Sequence, residues 1–243
     1  MPWLSDVPIN PMRRRGRDML ANPHITHGMV SQALPALDRE RTLWRFDYQP
    51  GRAHLVALTQ SRPSWAHVIE VAGWEGADGS DARVFDLEPL LAMVALGRMF
   101  AFKARLNPVY STQDPQGNAL KEKLRAAREE RDGRVRGVKV PARTARFQTE
   151  WFLKQTKKWG FEIPLLAGSD VPDVILNQRQ VIRFTKGRGS GPLVTLSTAT
   201  FTGNLIVTDV GLFRSKIVEG IGRGKAYGCG LLTLGPPAGN MSS

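Results

Sequence analysis

The sequence predicts an α+β fold: two modules in tandem, each an antiparallel sheet packed against helices, with a glycine-rich loop near the C-terminus. Three observations predict it. Strand and helix patterns run strand–helix–strand–strand in the first part of the chain, and strand–helix–strand–strand–helix–strand returns in the second. The 243 residues suit one large domain or two small ones, and 42% hydrophobic content is enough for a real core. Charge divides the chain near the same point. Residues 1–99 carry 11 basic and 11 acidic side chains, whereas residues 100–243 carry 23 basic and 11 acidic, the whole net charge of +12. The expected modules are 1–98 and 99–243, alike in outline and without a residue-level repeat.

Trp3, Leu4, Val7 and Ile9 fall in a short first strand, followed by the cluster Arg13, Arg14, Arg15 and Arg17. Asn22 is a good N-cap and Pro23 suits the first helical position, so a helix is expected from Pro23 to about Leu37, ended or bent by Pro35. Thr42–Tyr48 and His54–Gln60 read as strands joined by a Gln49-Pro50-Gly51 turn. This order resembles the first half of a ferredoxin-like (RRM-like) module. Ser61–Asp86 reads as loop, and 87–96 as an apolar helix.

Met99–Leu106 alternates, with Lys103 and Arg105 making one face of the strand basic. Residues 111–132 are polar and highly charged, an insertion or an exposed helix. A basic strand holds Arg134, Arg136 and Lys139, and Arg143 and Arg146 follow it. Thr144–Trp159 reads as helix, with Phe147, Trp151 and Phe152 inward and Lys154, Lys157 and Lys158 at the C-terminal end, where they suit the dipole. Val181–Phe184, Val194–Phe201 and Leu205–Thr208 read as three strands, the first two joined by a tip carrying Lys186 and Arg188. Asp209 caps a helix with Leu212, Phe213 and Ile217 inward, and an apolar run, Leu231–Leu234, makes the last strand.

Cys229 is the one cysteine, so an internal disulfide is excluded and a reducing compartment fits. No apolar run is long enough to span a bilayer, and no apolar segment follows the N-terminal arginines as in a secretory signal. A cytoplasmic protein with no membrane partner is expected. Clustering of the basic residues (15 basic against 6 acidic within 103–158) points to a polyanion, nucleic acid above all. A basic surface that serves only solubility is the weaker alternative.

Two groups of residues carry candidate chemistry. His24 and His27 stand at i and i+3 in the first turns of a helix, on one face. A helix N-terminus is a natural phosphate site, and its dipole disfavours an imidazolium. Two histidines beside a phosphate suit metal-free RNA cleavage, one removing the 2′-OH proton and the other protonating the 5′-oxygen. One packed and one exposed histidine is an equal reading of the same residues. A zinc site lacks a third and fourth ligand nearby, so neither metal nor cofactor is expected.

The second group is the loop of Gly220, Gly222, Gly228 and Gly230, with Arg223 and Lys225 between them. The loop fits neither a Walker A nor a dinucleotide fingerprint, because Glu219 and Ala226 stand where the first needs Gly and Ser/Thr, and Lys225 where the second needs Gly. The two cations among the glycines suggest a phosphate chain; a helix C-cap at Gly220 with a tight entry into the last strand is the other reading, and both can hold together.

These segments together carry a family resemblance. Gly220-Ile-Gly-Arg-Gly-Lys-Ala-Tyr-Gly-Cys-Gly-Leu-Leu resembles the C-terminal glycine-rich motif of the RAMP superfamily of CRISPR proteins. Ala21-Asn-Pro-His-Ile-Thr-His27, Phe100–Pro108 and Val135–Phe161, in that order, are similar to the CasE family. That resemblance spans nearly the whole chain. It implies two tandem ferredoxin-like folds and binding of the CRISPR repeat hairpin. It also implies one metal-independent cut at the 3′ base of that hairpin, leaving a 2′,3′-cyclic phosphate, and retention on the guide RNA beside other subunits of Cascade. His27 falls on the family's catalytic histidine. His24 falls where some members have an assisting tyrosine, and Gly28 where a basic residue is common, leaving Lys225, Arg223 or Lys139 to stabilise the phosphorane. A non-catalytic RNA-binding subunit of the same complex is the alternative function.

Overall fold

In the computed structural model, which describes residues 1–35, 40–74, 76, 81–130, 137–185 and 191–237, the chain opens with β1 (Trp3–Ile9). Its buried residues Val7 and Ile9 alternate toward the helices. The arginine cluster, expected only to lead into the next helix, forms a helix of its own, α1 (Arg14–Ala21). Gly16 makes this possible: a Cβ there would stand 2.1 Å from the carbonyl oxygen of Asn10. Then comes α2 (Pro23–Gln32), with the Asn22 side chain accepting from the His24 amide at 2.9 Å. It is shorter than expected, ending before Leu34, whose helical conformation the following Pro35 disfavours.

β2 (Leu43–Gln49) and β3 (Arg52–Thr59) form a hairpin around Gly51 at φ +71°. The stretch 61–86 is not the expected loop. It holds α3 (Ala66–Ala72), anchored by the fully buried Val68 and Ala72 at i and i+4, and β4 (Arg83–Asp86), which pairs with β1. Seven and four residues are too few to show a period in the sequence. The sheet order is β2-β3-β1-β4, antiparallel throughout.

A short α4 (Glu88–Ala92) leads to β5 (Met99–Leu106), in which Phe100, Phe102, Ala104 and Leu106 are buried and Lys103 and Arg105 face the other way. An excursion follows, made of β6 (Val109–Thr112), the exposed helix α5 (Asn118–Glu130) and β7 (Val138–Pro141), which pairs with β6. α6 (Ala145–Thr156) is capped by the Thr144 hydroxyl. Its buried stripe is Gln148, Phe152 and Thr156, four residues apart, so Phe147 falls outside it and is exposed, against expectation.

β8 (Phe161–Glu162), β9 (Val174–Thr185) and β10 (Leu193–Val207) complete most of the second sheet. β10 is one strand where two were expected. Gly203 carries it past the carbonyl of Asp173, 2.1 Å from where a Cβ would sit, instead of turning it. α7 (Val210–Glu219), capped by Asp209, and β11 (Leu232–Gly235) end the fold. The order is β11-β5-β10-β8, with β9 also on β10. With β5, β9, β10 and β11 as strands one to four, the order 4-1-3-2 is that of the first sheet, β4-β1-β3-β2. Both are βαββαβ ferredoxin-like sheets.

Phe152 centres the second core, stacked on Phe201 at 4.5 Å and on Phe102 at 5.6 Å between centroids. Leu43 and Leu58 of the first module belong to that core as well, so the modules are packed together. Arg45 of β2, 3% exposed, fastens them. Its guanidinium donates to both carboxylate oxygens of Asp47 at 2.9 Å, to the Thr233 hydroxyl at 2.8 Å, and to the carbonyls of Lys103 and Leu231 at 3.4 and 3.5 Å. Burial alone would raise the Asp47 pKa, but the hydrogen bonds and charges of Arg45 and Lys103 outweigh it and hold the carboxyl below its ordinary range.

Replacing Arg45 with Ala should lower unfolding stability by about 3 kcal/mol, because it leaves the Asp47 carboxylate with Lys103 as its one cation among the described residues and removes the guanidinium's contacts to two backbone carbonyls. Arg45→Lys should recover only part of this, since an ammonium cannot make the paired contact. Urea denaturation would measure both.

Candidate functional site

The Asn22 cap and Pro23 start α2 where they do, and that start sets the two histidines one turn apart on one face. Both are half-buried. The His27 Nδ1 is enclosed and has no hydrogen-bond partner among the described residues, which leaves Nε2 as the nitrogen for a ligand. Burial, and secondly the charge of His24, lower the His27 pKa from its ordinary 6.5. Its imidazole is therefore neutral at pH 7. The remaining histidines are structural. His54 Nδ1 meets Asp6 at 2.8 Å and His67 Nε2 meets the Met29 carbonyl at 3.0 Å.

α2 lies where the modules meet. The glycine loop touches it through a 3₁₀ turn, Lys225–Tyr227, and β9 also reaches it. At its N-terminal end opens a cleft of about 440 Å³, lined by Pro23, Tyr48, Arg105, Gln180 and Arg183 among others. Gln180, Val181 and Arg183 also line a second groove, of about 550 Å³, which continues past Arg179 to Arg143 at the start of α6. A path bordered by arginines thus runs along β9 to the start of the histidine helix.

Arg179 is the most firmly held of these cations. Its Nε donates to the Gln148 carboxamide oxygen at 2.8 Å, and its Nη2 donates to the Arg143 carbonyl. Gln148 is itself 1% exposed and donates to the Ala142 carbonyl at 2.9 Å.

The cations singled out in the sequence divide into groups. Arg105 and Arg143 border the path. Arg146, paired with Glu150 at 2.8 Å, and Lys154 lie along α6, with Lys157 and Lys158 exposed beyond its C-terminus, about 18 Å from Arg143. Lys139 is exposed on β7 and donates to Ser111. Arg223 is exposed. Arg134, Arg136, Lys186 and Arg188 lie outside the described residues.

Lys103 and Lys225 are engaged where the protein's own elements meet. Lys103 is bound to Asp47 at 2.9 Å in the fastening between modules. Lys225 donates to the Glu219 carbonyl at 2.6 Å and so caps α7. Arg179, Arg183, Gln180 and Gln148 escaped the sequence reading. Their signal was Arg179 and Arg183 four apart in a strand, on one face.

The glycine loop packs closely against the first module. Gly220, Gly222, Gly228 and Gly230 all have φ between +70° and +95°. The closest approaches at Gly220 and Gly228 are to β2. A Cβ would meet the Leu43 side chain at 2.6 Å in one case and the Trp44 ring at 2.7 Å in the other. Gly230 donates to the Arg105 carbonyl at 2.8 Å and accepts from Ile221 at 2.9 Å. Cys229, fully buried, has its thiol pKa pushed up to about 11. Among the described residues no group of three His, Cys, Asp or Glu is placed to hold a metal ion, and no helix is long and apolar enough to cross a membrane.

Comparison with known proteins places the chain. A family model described as CRISPR associated protein matches residues 2–236. The chain belongs to that CRISPR-associated family. It is 30% identical to the CRISPR-associated endoribonuclease Cse3 of Thermus thermophilus over 240 residues, which is 96% of this chain and 100% of that one. The structure of Thermus thermophilus Cse3 bound to an RNA representing a pre-cleavage complex superposes with a TM-score of 0.69 at 26% identity, covering 97% and 99% of the two chains. Cas6e of Escherichia coli K-12 shares the fold, with a TM-score of 0.61 at 19% identity over 97% and 100%. The resemblance to CasE, the Cse3 type, therefore holds across the family member's full length.

The lowered His27 pKa gives a check on the pair. A folded pKa below the unfolded value contributes stability that is present above pH 6.5 and lost as pH falls through the lowered value. An NMR titration should place the His27 midpoint below 6.5, and His24→Asn should move it upward by removing the neighbouring charge.

Proposed function

We propose that this protein is a CRISPR precursor-RNA endoribonuclease. It binds the repeat hairpin, makes one cut at its 3′ base, and stays on the mature guide RNA as a subunit of the Cascade complex in the cytoplasm. One observation carries the reading: the arginine-bordered path along β9 ends at the start of the helix that bears a neutral, half-buried histidine and a second histidine one turn away.

Within this proposal, module 1–98 supplies the chemistry and module 99–243 most of the RNA contacts. The 2′-hydroxyl loses its proton to His27 Nε2. Its oxygen then bonds to phosphorus as the bond from phosphorus to the 5′-oxygen breaks, giving a 2′,3′-cyclic phosphate and a 5′-hydroxyl. His24 donates the proton to the leaving 5′-oxygen. The neighbouring His24 adds to burial in lowering the His27 pKa, which favours the unprotonated imidazole that a base requires. No step uses a metal ion. Arg105, Arg143, Arg179 and Arg183 take phosphates of the stem, whose A-form major groove is too deep and narrow for most side chains to read. Lys139, Arg146, Lys154, Lys157 and Lys158 extend the contact along the α6 side, and Arg223 lies beside the glycine loop. Support for the endoribonuclease reading comes from the family, in which Cse3 is a named endoribonuclease.

Incubating the protein with its repeat RNA in EDTA should give one cut with a cyclic phosphate end. His27→Ala should abolish the cut, by at least about a hundredfold, and keep RNA binding. Binding without cleavage by the unaltered protein would instead identify a scaffold subunit.

Changing Arg143 and Arg179 together to Ala should weaken RNA binding. It should also flatten the dependence of log affinity on log salt by about 1–2, one phosphate contact for each cation. Filter binding across a salt series would measure it.

A further inference from the structure

The cleft between the modules holds more than a phosphate site requires. A phosphate needs cations and N–H donors, yet one wall here is an aromatic ring and apolar side chains. Trp44, Phe46 and Tyr48 alternate on one face of β2. The first two are buried at 1% and 7% exposure, but Tyr48 is 53% exposed and lines the cleft. Phe46 backs its ring at 6.4 Å between centroids, with 41° between the planes. Leu20 and Ile182 add apolar surface.

The opposite wall carries directed polar groups. Arg105 donates to the Gln180 side-chain oxygen at 3.3 Å and to the Thr198 hydroxyl at 3.5 Å. A guanidinium only donates, so this contact fixes which end of the Gln180 amide is oxygen. The amide NH₂ of Gln180, on the cleft wall, has no acceptor among the described residues. The floor includes Pro23, one helical turn of about 5.4 Å from His27 on the same face of α2.

From this juxtaposition we infer that the cleft is a nucleobase pocket, which takes one unpaired base next to the bond that is cut, stacked on Tyr48 with its edge against Gln180. Unpaired RNA bases are held in this way, with the face on an aromatic ring and the edge on amide or guanidinium groups. The free donors of Gln180 can give a hydrogen bond to an acceptor on the base edge, either a carbonyl oxygen or an unprotonated ring nitrogen. Drawing that base out of the stack would turn its backbone toward His27. The inference rests on the endoribonuclease reading for the identity of the RNA, and it adds a specificity contact outside the stem.

The test uses the full chain and repeat RNA carrying the fluorescent base pyrrolo-cytosine in turn at each of the two nucleotides flanking the cut. One position should change its fluorescence on binding. Tyr48→Ala should remove that change and weaken binding about tenfold, the effect of losing one stacked base, whereas Tyr48→Phe, which keeps the ring, should behave as the unaltered protein. Tyr48 is half-exposed, so truncating it leaves the core intact. Gln180→Ala should weaken binding to the unmodified repeat RNA and make no difference to an RNA with an abasic nucleotide at the responding position. The pocket is overturned if neither position responds, or if the response survives Tyr48→Ala. If the unaltered protein leaves repeat RNA uncut, the endoribonuclease reading fails, while the fluorescence response still decides the pocket.

Discussion

The buried guanidinium of Arg45 is the constraint on which the site depends. It stands on β2 of the first sheet, yet its acceptors include carbonyls of Lys103 and Leu231 in the second. An isolated charge at 3% exposure would be very costly. Asp47 supplies the counter-charge through two parallel hydrogen bonds, and Lys103 balances the carboxylate from the other side. Such a cluster is geometrically exacting rather than strongly stabilising. It fixes how one sheet lies on the other, and both walls of the cleft follow from that. Tyr48 lies three residues along the strand from Arg45, and Arg105 two residues from Lys103.

The glycine loop locks the same junction from the other side. Side chains at 220 and 228 would collide with Leu43 and Trp44, so only glycine lets this backbone rest on β2. From there the 3₁₀ turn at Lys225–Tyr227 reaches α2, and the Tyr227 ring meets Phe184 of β9 at 4.9 Å between centroids. The loop thus touches β2, β9 and the histidine helix together. Lys225 is turned to the carbonyl end of α7, where a cation relieves unpaired acceptors. What the geometry shows of the loop is packing: it rests on β2 and α2, and Lys225 is engaged with α7.

How much of this could be read from the sequence varied with the range of the signal. Asn22-Pro23 announced α2 because capping is local, and Lys103 and Arg105 announced a strand because alternation is local. The glycines announced a close approach but not its target, since Leu43 and Trp44 lie some 180 residues away. Charge was the least legible. In the sequence Lys103, Lys225 and Arg179 are equal cations. In the fold one is cancelled by Asp47, one caps a helix, and one is held in a groove by Gln148. Gln148 could not be singled out, because its importance comes only from being buried beside β9. The short α3 and β4 were missed for want of length, and β10 was cut in two because glycine usually marks a turn.

Separate placement of charge and chemistry has a physical advantage for an enzyme that keeps its product. Tight binding to the stem requires many phosphate contacts, which on the proposed reading fall to the second module's strands and to α6. Cleavage needs a neutral base, and a dense field of cations beside His27 would hold it neutral at the cost of proton affinity. Its pKa is lowered instead mainly by burial and then by one neighbour, His24. Affinity for the stem can therefore be high without setting the acid–base properties of the pair. On the proposed reading, the stem and its arginines remain after the cut as they were, and only the strand beyond the scissile bond loses its tether. Retention of the guide RNA then needs no further device: the contacts that select the hairpin are the contacts that keep it.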